Sequence, residues 1–161
     1  MVASHASSSG TTGGRIWFAV QGMIAIALVL APVFSRVHGS PVLRSLGLAI
    51  GVLGILLLVQ SYRALGRSHS PWTTPLEGAT LVISGPYRIV RHPVYAAFIL
   101  VGLGLEMLFA SPVGLMVVAV ECVYYDLRTR EEERWLVNRY PEYAGYRRRV
   151  PGRLLPRFQE P

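Results

Sequence analysis

The sequence contains no lysine, and all sixteen of its basic residues are arginine. It therefore lacks the amine of Schiff-base enzymes and the lysine of nucleotide-binding P-loops. Its single cysteine, Cys122, excludes an intrachain disulfide and a zinc site with several thiolate ligands. Charged residues are also scarce, at 16% of 161 residues, whereas soluble domains carry roughly a quarter. This composition is not that of a typical water-soluble domain.

Hydrophobic residues make up 52% of the chain and are concentrated in long blocks. The first block, as a helix, rises about 28 Å, close to the thickness of the hydrocarbon core of a bilayer. The stretch 94–125 is too long for one span and is interrupted by Ser111-Pro112, so it is interpreted as a helical hairpin. We predict an all-α integral membrane protein with about four transmembrane helices and a cytoplasmic helical cap at 126–161. The predicted spans are 16–34, 46–62, 94–110 and 113–125.

The placement of arginine predicts the orientation in the membrane. With four spans, every arginine except Arg36 and Arg44 lies on the side that holds both termini, and cytoplasmic segments are the arginine-rich ones. Both termini are therefore predicted to be cytoplasmic, and the arginine bias favours a bacterial inner membrane. Segment 1–14 is predicted to be a disordered leader before a single domain at 15–161. A re-entrant hairpin that does not cross stays open for 94–125, because each limb is short.

The segment that leads into the third span carries the first candidate site, Arg91-His92-Pro93-Val94-Tyr95. Pro93 suits the first position of a helix, where its missing N–H costs nothing. Arg91 and His92 then stand beside the positive end of that helix, which favours anions. The alternative is simple anchoring at the membrane interface, which is common for Arg and Tyr.

Two further groups of polar residues do not suit a simple helix bundle. Glu106 lies within the third span, where a carboxylate faces protein or water rather than lipid, and it shares a helix face with Tyr95. We therefore predict that Glu106 lines a substrate cavity. In the tail, Glu131, Glu132 and Glu133 cannot share one helix face, so some are solvated or paired with arginine. The tyrosines and Val-Pro of 140–151 favour an ordered cap.

Together these segments resemble the isoprenylcysteine carboxyl methyltransferase and phospholipid methyltransferase superfamily of integral membrane enzymes. The resemblance covers about half of the chain, from 81–95 through the hairpin to 132–136 and 143–151. It implies S-adenosylmethionine as the cofactor, bound between the span after His92-Pro93 and the cap. The cofactor contacts that it implies are His92, Pro93, Tyr95, Glu133, Tyr143 and Tyr146. The catalytic residues that it implies are Arg91, Glu132 and Arg149.

The sequence departs from the family pattern at two positions. Ala97 stands where the family often has glycine, and Gly152 stands where an arginine often follows Val-Pro. Arg153, the next residue, is a candidate substitute for that arginine.

Methyl transfer from a sulfonium requires neither a metal nor a protein nucleophile, only donor and acceptor held in line. A carboxylate acceptor needs an arginine clamp, whereas an amine needs a base such as Glu106 or a tail glutamate. We expect methyl transfer to a lipophilic acceptor, with the carboxylate of an isoprenoid-type or other small lipophile favoured. The alternatives are an NADPH-dependent membrane reductase of related fold and a non-enzymatic membrane scaffold. The basic side is expected to contact membrane lipids rather than nucleic acid.

Overall fold

A computed structural model of the protein describes residues 8–35, 39–66 and 80–157. Within these ranges the chain forms no β-strand, and 3-10 helices follow α1 at Ala31–Phe34 and precede α3 at Gly85–Arg88. The all-α prediction is confirmed for the described part of the chain. Its α-helices are α1 (Ser8–Leu30), α2 (Pro41–Leu65), α3 (Pro93–Leu108), α4 (Pro112–Arg139) and α5 (Tyr143–Arg149).

Two Ser-Pro pairs determine where long helices begin. The side chain of Ser40 accepts a hydrogen bond of 3.2 Å from the N–H three residues later and caps α2. Ser111 caps α4 in the same way at 2.9 Å. In both cases proline follows at the first helical position, where a backbone donor is not needed. The break predicted at Ser111-Pro112 is therefore the turn between α3 and α4.

Two described helices are long and apolar enough to cross a membrane, judged by length and composition, namely Gly14–Phe34 and Pro41–Leu65. Their apolar side chains point largely outward, with Met23 69% and Leu53 57% exposed. Such extended apolar surface requires a nonpolar environment. α3 is shorter, and α4 joins an apolar first half to a charged second half in one helix of 28 residues. Whether α3 and α4 also cross stays a prediction.

Helix α1 begins at Ser8, within the segment predicted to be a disordered leader. Residues 8–14 are therefore helical in the structure, and residues 1–7 lie outside the described part. The physical reason is that extending an existing helix avoids the cost of nucleation, so polar residues of low propensity join the apolar helix that follows them.

Glycines bring α2 and α3 into close contact. A Cβ added at Gly47 would lie 2.5 Å from the backbone nitrogen of Leu108, and one at Gly54 would lie 2.8 Å from that of Val101. Small residues of this kind let helix backbones approach each other in membranes. This packing holds α3 in place along its length and so positions its first turn.

Candidate active site

The first turn of α3 meets the second half of α4 and the C-terminal segment at one end of the helices. Arg91 and His92 are 7% and 5% exposed, and Pro93 is fully buried at the first position of α3. His92 occupies the N-cap position, but its side chain makes no capping hydrogen bond. Its imidazole is therefore directed to other partners.

Glu133 of α4 joins these residues. Arg91 Nε donates to Glu133 Oε1 at 2.8 Å, and His92 Nε2 lies 3.2 Å from the same oxygen. Burial alone would raise the pKa of Glu133, but the hydrogen bonds and charges of His92 and Arg91 lower it to about 2. Glu133 is thus ionised at neutral pH and ties α4 to the start of α3.

The C-terminal segment crosses the start of α3 and is held there by main-chain contacts. Arg91 Nη1 donates to the carbonyl oxygens of Val150 and Pro151 at 2.6 and 2.8 Å. The backbone N–H groups of Arg91 and His92 donate to the carbonyls of Gly152 and Arg153, each at 3.0 Å. We call residues 150–153 the strap.

The departure from the family pattern at Gly152 has a local explanation. A Cβ at this position would clash with the carbonyl oxygen of Leu155 and would lie 3.0 Å from the backbone nitrogen of Arg157. The turn after the strap therefore requires glycine. Arg153 reaches the cluster instead, with Nη1 2.9 Å from Asp126 Oδ1 and Nε 3.7 Å from Glu133 Oε1.

Glu132 has different surroundings from Glu133. It accepts a hydrogen bond of 2.9 Å from the hydroxyl of Tyr95, and its side chain is 25% exposed, against 7% for Glu133. Arg128, which is only 3% exposed, donates from Nε to the Tyr95 hydroxyl at 3.1 Å. Its guanidinium carbon also lies 5.5 Å from the centre of the Tyr95 ring. Tyr95 is thus held between a carboxylate and a guanidinium.

A row of nearly parallel rings extends from this point. His92 and Tyr95 stack at 5.9 Å between ring centres, and Tyr95 and Tyr125 stack at 4.9 Å. Phe98 continues the row on Tyr125 at 6.0 Å. Aromatic faces of this kind attract both planar groups and cations.

The two tyrosines of α5 are buried beside the strap. Tyr143 and Tyr146 are 1% and 3% exposed and pack with Val150. The Tyr146 hydroxyl donates to the carbonyl of Tyr87 at 2.7 Å. The Tyr143 hydroxyl is buried and has no hydrogen-bond partner in the described ranges. A buried donor of this kind requires a bound molecule or water.

Glu106 lies away from this cluster, in the contact between α3 and α4. It is fully buried, and a Cβ added at Gly114 would overlap its carboxyl group. The arrangement is reciprocal, because Glu121 of α4 lies 2.8 Å from the Cβ position of Gly102 on α3. The expectation that Glu106 faces protein is confirmed. That it lines a substrate cavity stays a prediction.

The structure does not bring Arg149 to the cluster. Its side chain is exposed at the end of α5, and no hydrogen bond or ion pair of the described residues involves it. Conversely, sequence reasoning treated Arg128 only as a tail charge and missed its contacts with Tyr95. The available signal was its spacing of four residues from both Tyr124 and Glu132, which places all three on one helix face.

The described residues also contain no group of three or more His, Cys, Asp or Glu side chains arranged to hold a metal ion. The charged groups of the site therefore pair among themselves, and the accessible carboxylate is that of Glu132. The site as described can hold a cation and a planar group side by side.

Comparison with known proteins identifies the family. The profile of the phospholipid methyltransferase family matches residues 42–143, more than half of the chain. The cobalt-zinc-cadmium resistance protein CzcN of Cupriavidus metallidurans is 34% identical over 84% of this chain and 62% of its own length. Protein-S-isoprenylcysteine O-methyltransferase B of Arabidopsis thaliana is 29% identical over 68% of this chain and 57% of its own.

The nickel-cobalt-cadmium resistance protein NccN of Alcaligenes xylosoxydans is 28% identical over 89% of this chain and 64% of its own length. This chain therefore spans less than two thirds of each of these three relatives. The matched region includes the start of α3, all of α4 and Tyr143, which are the elements that build the cluster. The chain belongs to the phospholipid methyltransferase family of integral membrane proteins, within the superfamily that includes the isoprenylcysteine methyltransferases.

Proposed function

We propose that this protein transfers a methyl group from S-adenosylmethionine to the carboxylate of a lipophilic acceptor, an isoprenoid-type acid or another small lipophile. Membership of the family supports methyl transfer, and its methyltransferases generally use this cofactor. The reductase alternative is not favoured by any of the relatives named above, and the scaffold alternative does not account for the buried charged cluster.

The observation that carries the proposal is the carboxylate of Glu132 beside the stacked rings of Tyr95 and His92. S-adenosylmethionine combines a sulfonium cation, an amino acid group and a planar adenine. A partly exposed carboxylate and aromatic faces suit the cation and the planar group. The unpartnered hydroxyl of Tyr143 supplies a further hydrogen-bonding group. The residues present therefore fit this cofactor.

In this proposal, the cofactor supplies an activated methyl group, and the protein supplies position. Glu132 and Tyr95 hold the cationic part, and Tyr143 and Tyr146 close the pocket. Glu133 acts as a positioning residue, because it holds His92 and Arg91 in place. Fixing donor and acceptor in line lowers the barrier by several kcal/mol without a protein nucleophile.

The arginines divide into two groups. Arg91 is committed to Glu133 and the strap, so we propose that it acts by positioning the start of α3 and by its charge. Arg128 presents a rigid fork of donors beside Tyr95, and such a fork suits an acceptor carboxylate. A catalytic role for Arg149 rests on the resemblance alone.

We further propose a four-span arrangement in a bacterial plasma membrane, with both termini and the 126–161 cap on the cytoplasmic side. The two apolar helices and the arginine asymmetry support this arrangement. A water-soluble cofactor then enters from the cytoplasm, and the lipophilic acceptor enters from the bilayer.

The test combines cofactor binding with methyl transfer. Purified protein is titrated with radiolabelled S-adenosylmethionine and with NADPH, and lipophilic acids, amines and thiols are assayed for methylation by mass spectrometry. We expect binding of S-adenosylmethionine and methylation of an acid. Binding of NADPH alone would support a reductase, and binding of neither would support a scaffold.

A pair of matched variants tests the role of Glu132. Glu132→Gln preserves shape but removes charge, so cofactor affinity should fall by roughly 1.5–3 kcal/mol, the scale of a hydrogen bond to a charged group. Glu142→Gln makes the same change at an exposed position of the tail and should leave affinity unchanged. Equal affinities in the two variants would remove Glu132 from the cofactor site.

A further inference from the structure

A groove of about 590 Å³ runs between α1 and α4. This volume lies within the range of about 300–1,000 Å³ that is typical of small-molecule sites. Its walls are apolar along most of its length and belong to helices whose outward faces are themselves apolar. The wall residues include Val20, Ile24 and Ala27 of α1 and Val117 and Val120 of α4.

One end of the groove is polar. Trp17 and Tyr124 line this end. Trp17 Nε1 donates to Glu131 Oε2 at 3.1 Å, and the Tyr124 hydroxyl donates to the carbonyl of Trp17 at 2.6 Å. Arg128 Nη1 donates to the Tyr124 hydroxyl at 2.9 Å. Polar groups are thus concentrated where the groove reaches the charged half of α4.

The polar end is continuous with the candidate active site. The guanidinium of Arg128 that contacts Tyr124 also donates to Tyr95 at 3.1 Å. The ring of Tyr124 packs edge-on against Tyr125 at 5.0 Å, and Tyr125 stacks on Tyr95. A molecule in the groove therefore has its polar end beside Arg128 and Tyr95.

We infer that this groove holds the apolar chain of the methyl acceptor, with the acceptor carboxylate directed toward Arg128 and Tyr95. The inference rests on the proposed function and names the part of the protein that selects the substrate. An apolar groove with charge at one end matches an amphiphile with one chain and an anionic head. A helix of a second protein would need a long apolar face and would leave Arg128 without a matching role.

Direct binding tests this inference without methyl transfer. A photoreactive farnesyl-chain carboxylic acid is added to the protein in phosphatidylcholine vesicles, and labelled residues are identified by mass spectrometry. We expect labelling of 20–27 and 117–123 that excess unlabelled acid displaces. Labelling spread over the exposed faces of α1 and α2 that the acid does not displace would mean that ordinary lipid fills the groove, and would overturn the inference.

Matched variants test the groove in catalysis. Ala27→Trp fills the groove, whereas Ala49→Trp makes the same change on the exposed face of α2. Ala27→Trp should raise the KM for a long-chain acid by at least about tenfold, the scale for one misfitted group in an apolar pocket. The affinity for S-adenosylmethionine and the KM of Ala49→Trp should stay at wild-type values.

A second pair serves if Ala27→Trp does not fold. Val120 lies at the open edge of the groove and is 58% exposed, and Val52 is 47% exposed on α2. Val120→Trp should raise the KM of the long-chain acid, and Val52→Trp should not. Equal KM values in the two members of a folded pair would overturn the inference. Displaceable groove labelling in a protein that methylates nothing would instead refute the proposed function and leave the groove assignment standing.

Discussion

Glu133→Gln removes the charge that joins α4 to Arg91 and His92 at the start of α3. The pKa of Glu133 is about 2, against an ordinary value of 4.5. At 1.36 kcal/mol per pH unit, this difference corresponds to about 3 kcal/mol of folding free energy. Because the Glu133 side chain is only 7% exposed, solvent screening reduces this value little. The variant also leaves Arg91 buried without its charged partner, which is itself costly.

The pH dependence of this contribution has a definite sign. The folded-state pKa of Glu133 lies below its unfolded value, so the folded protein favours the ionised carboxylate. The stabilisation is complete above about pH 4.5 and is lost as the pH falls toward about 2. Wild-type protein should therefore lose about 3 kcal/mol of stability across this window. Glu133→Gln should lack that part of the loss.

Thermal unfolding in detergent measures both effects. For a protein of this size, a loss of about 3 kcal/mol lowers Tm by roughly 6–12 °C. Glu132→Gln is the matched control, because it makes the same change at the next residue, where the carboxylate is more exposed. It should shift Tm by less than about 3 °C. Equal Tm values and equal acid profiles for Glu133→Gln and wild type would refute the assignment of Glu133 as the link between α3 and α4.

Three further predictions concern topology, Arg91 and helix packing. A cysteine introduced at exposed Leu155 should resist a membrane-impermeant thiol reagent applied to intact cells, and labelling above the parent protein would overturn cytoplasmic termini. Arg91→Lys retains the charge but loses the donors to Glu133 and the strap. Turnover should therefore fall at least tenfold, about 1.4 kcal/mol, and unchanged turnover would contradict this role. Gly114→Ala places a Cβ on a buried carboxyl and should cost about 1–3 kcal/mol in unfolding experiments. Gly22→Ala, in open space, is its control, and equal stabilities would refute the packing argument.

The sequence alone was sufficient to predict the helical class and the order of its segments. Apolar blocks of membrane length, bounded by arginine and interrupted by Ser-Pro, specify helices and their starts through local rules. The family followed from the Arg91-His92-Pro93 segment and the paired glutamates in the correct order, and the comparisons confirm it. These features depend only on residues close together in the chain, so no tertiary information was needed.

Residue contacts across the fold were decided by the tertiary structure. Consecutive helical residues point about 100° apart, so Glu131, Glu132 and Glu133 had to diverge, but the sequence did not indicate toward what. The packing of α4 against α1 and α3 directs Glu131 to Trp17, Glu132 to Tyr95 and Glu133 to Arg91 and His92.

The same reason explains Arg128, Arg149 and Glu106. Arg128 looked like a surface charge, yet α4 carries it to the stacked rings and buries it, whereas the direction of α5 leaves Arg149 in solvent. The surroundings of Glu106 depended on Gly114, which lies across the hairpin and makes room for its carboxyl group. Helical periodicity determines the direction of a side chain from its own helix axis. Which partner lies in that direction depends on how the helices cross, and that crossing is set by close backbone contacts such as those at Gly47 and Gly54.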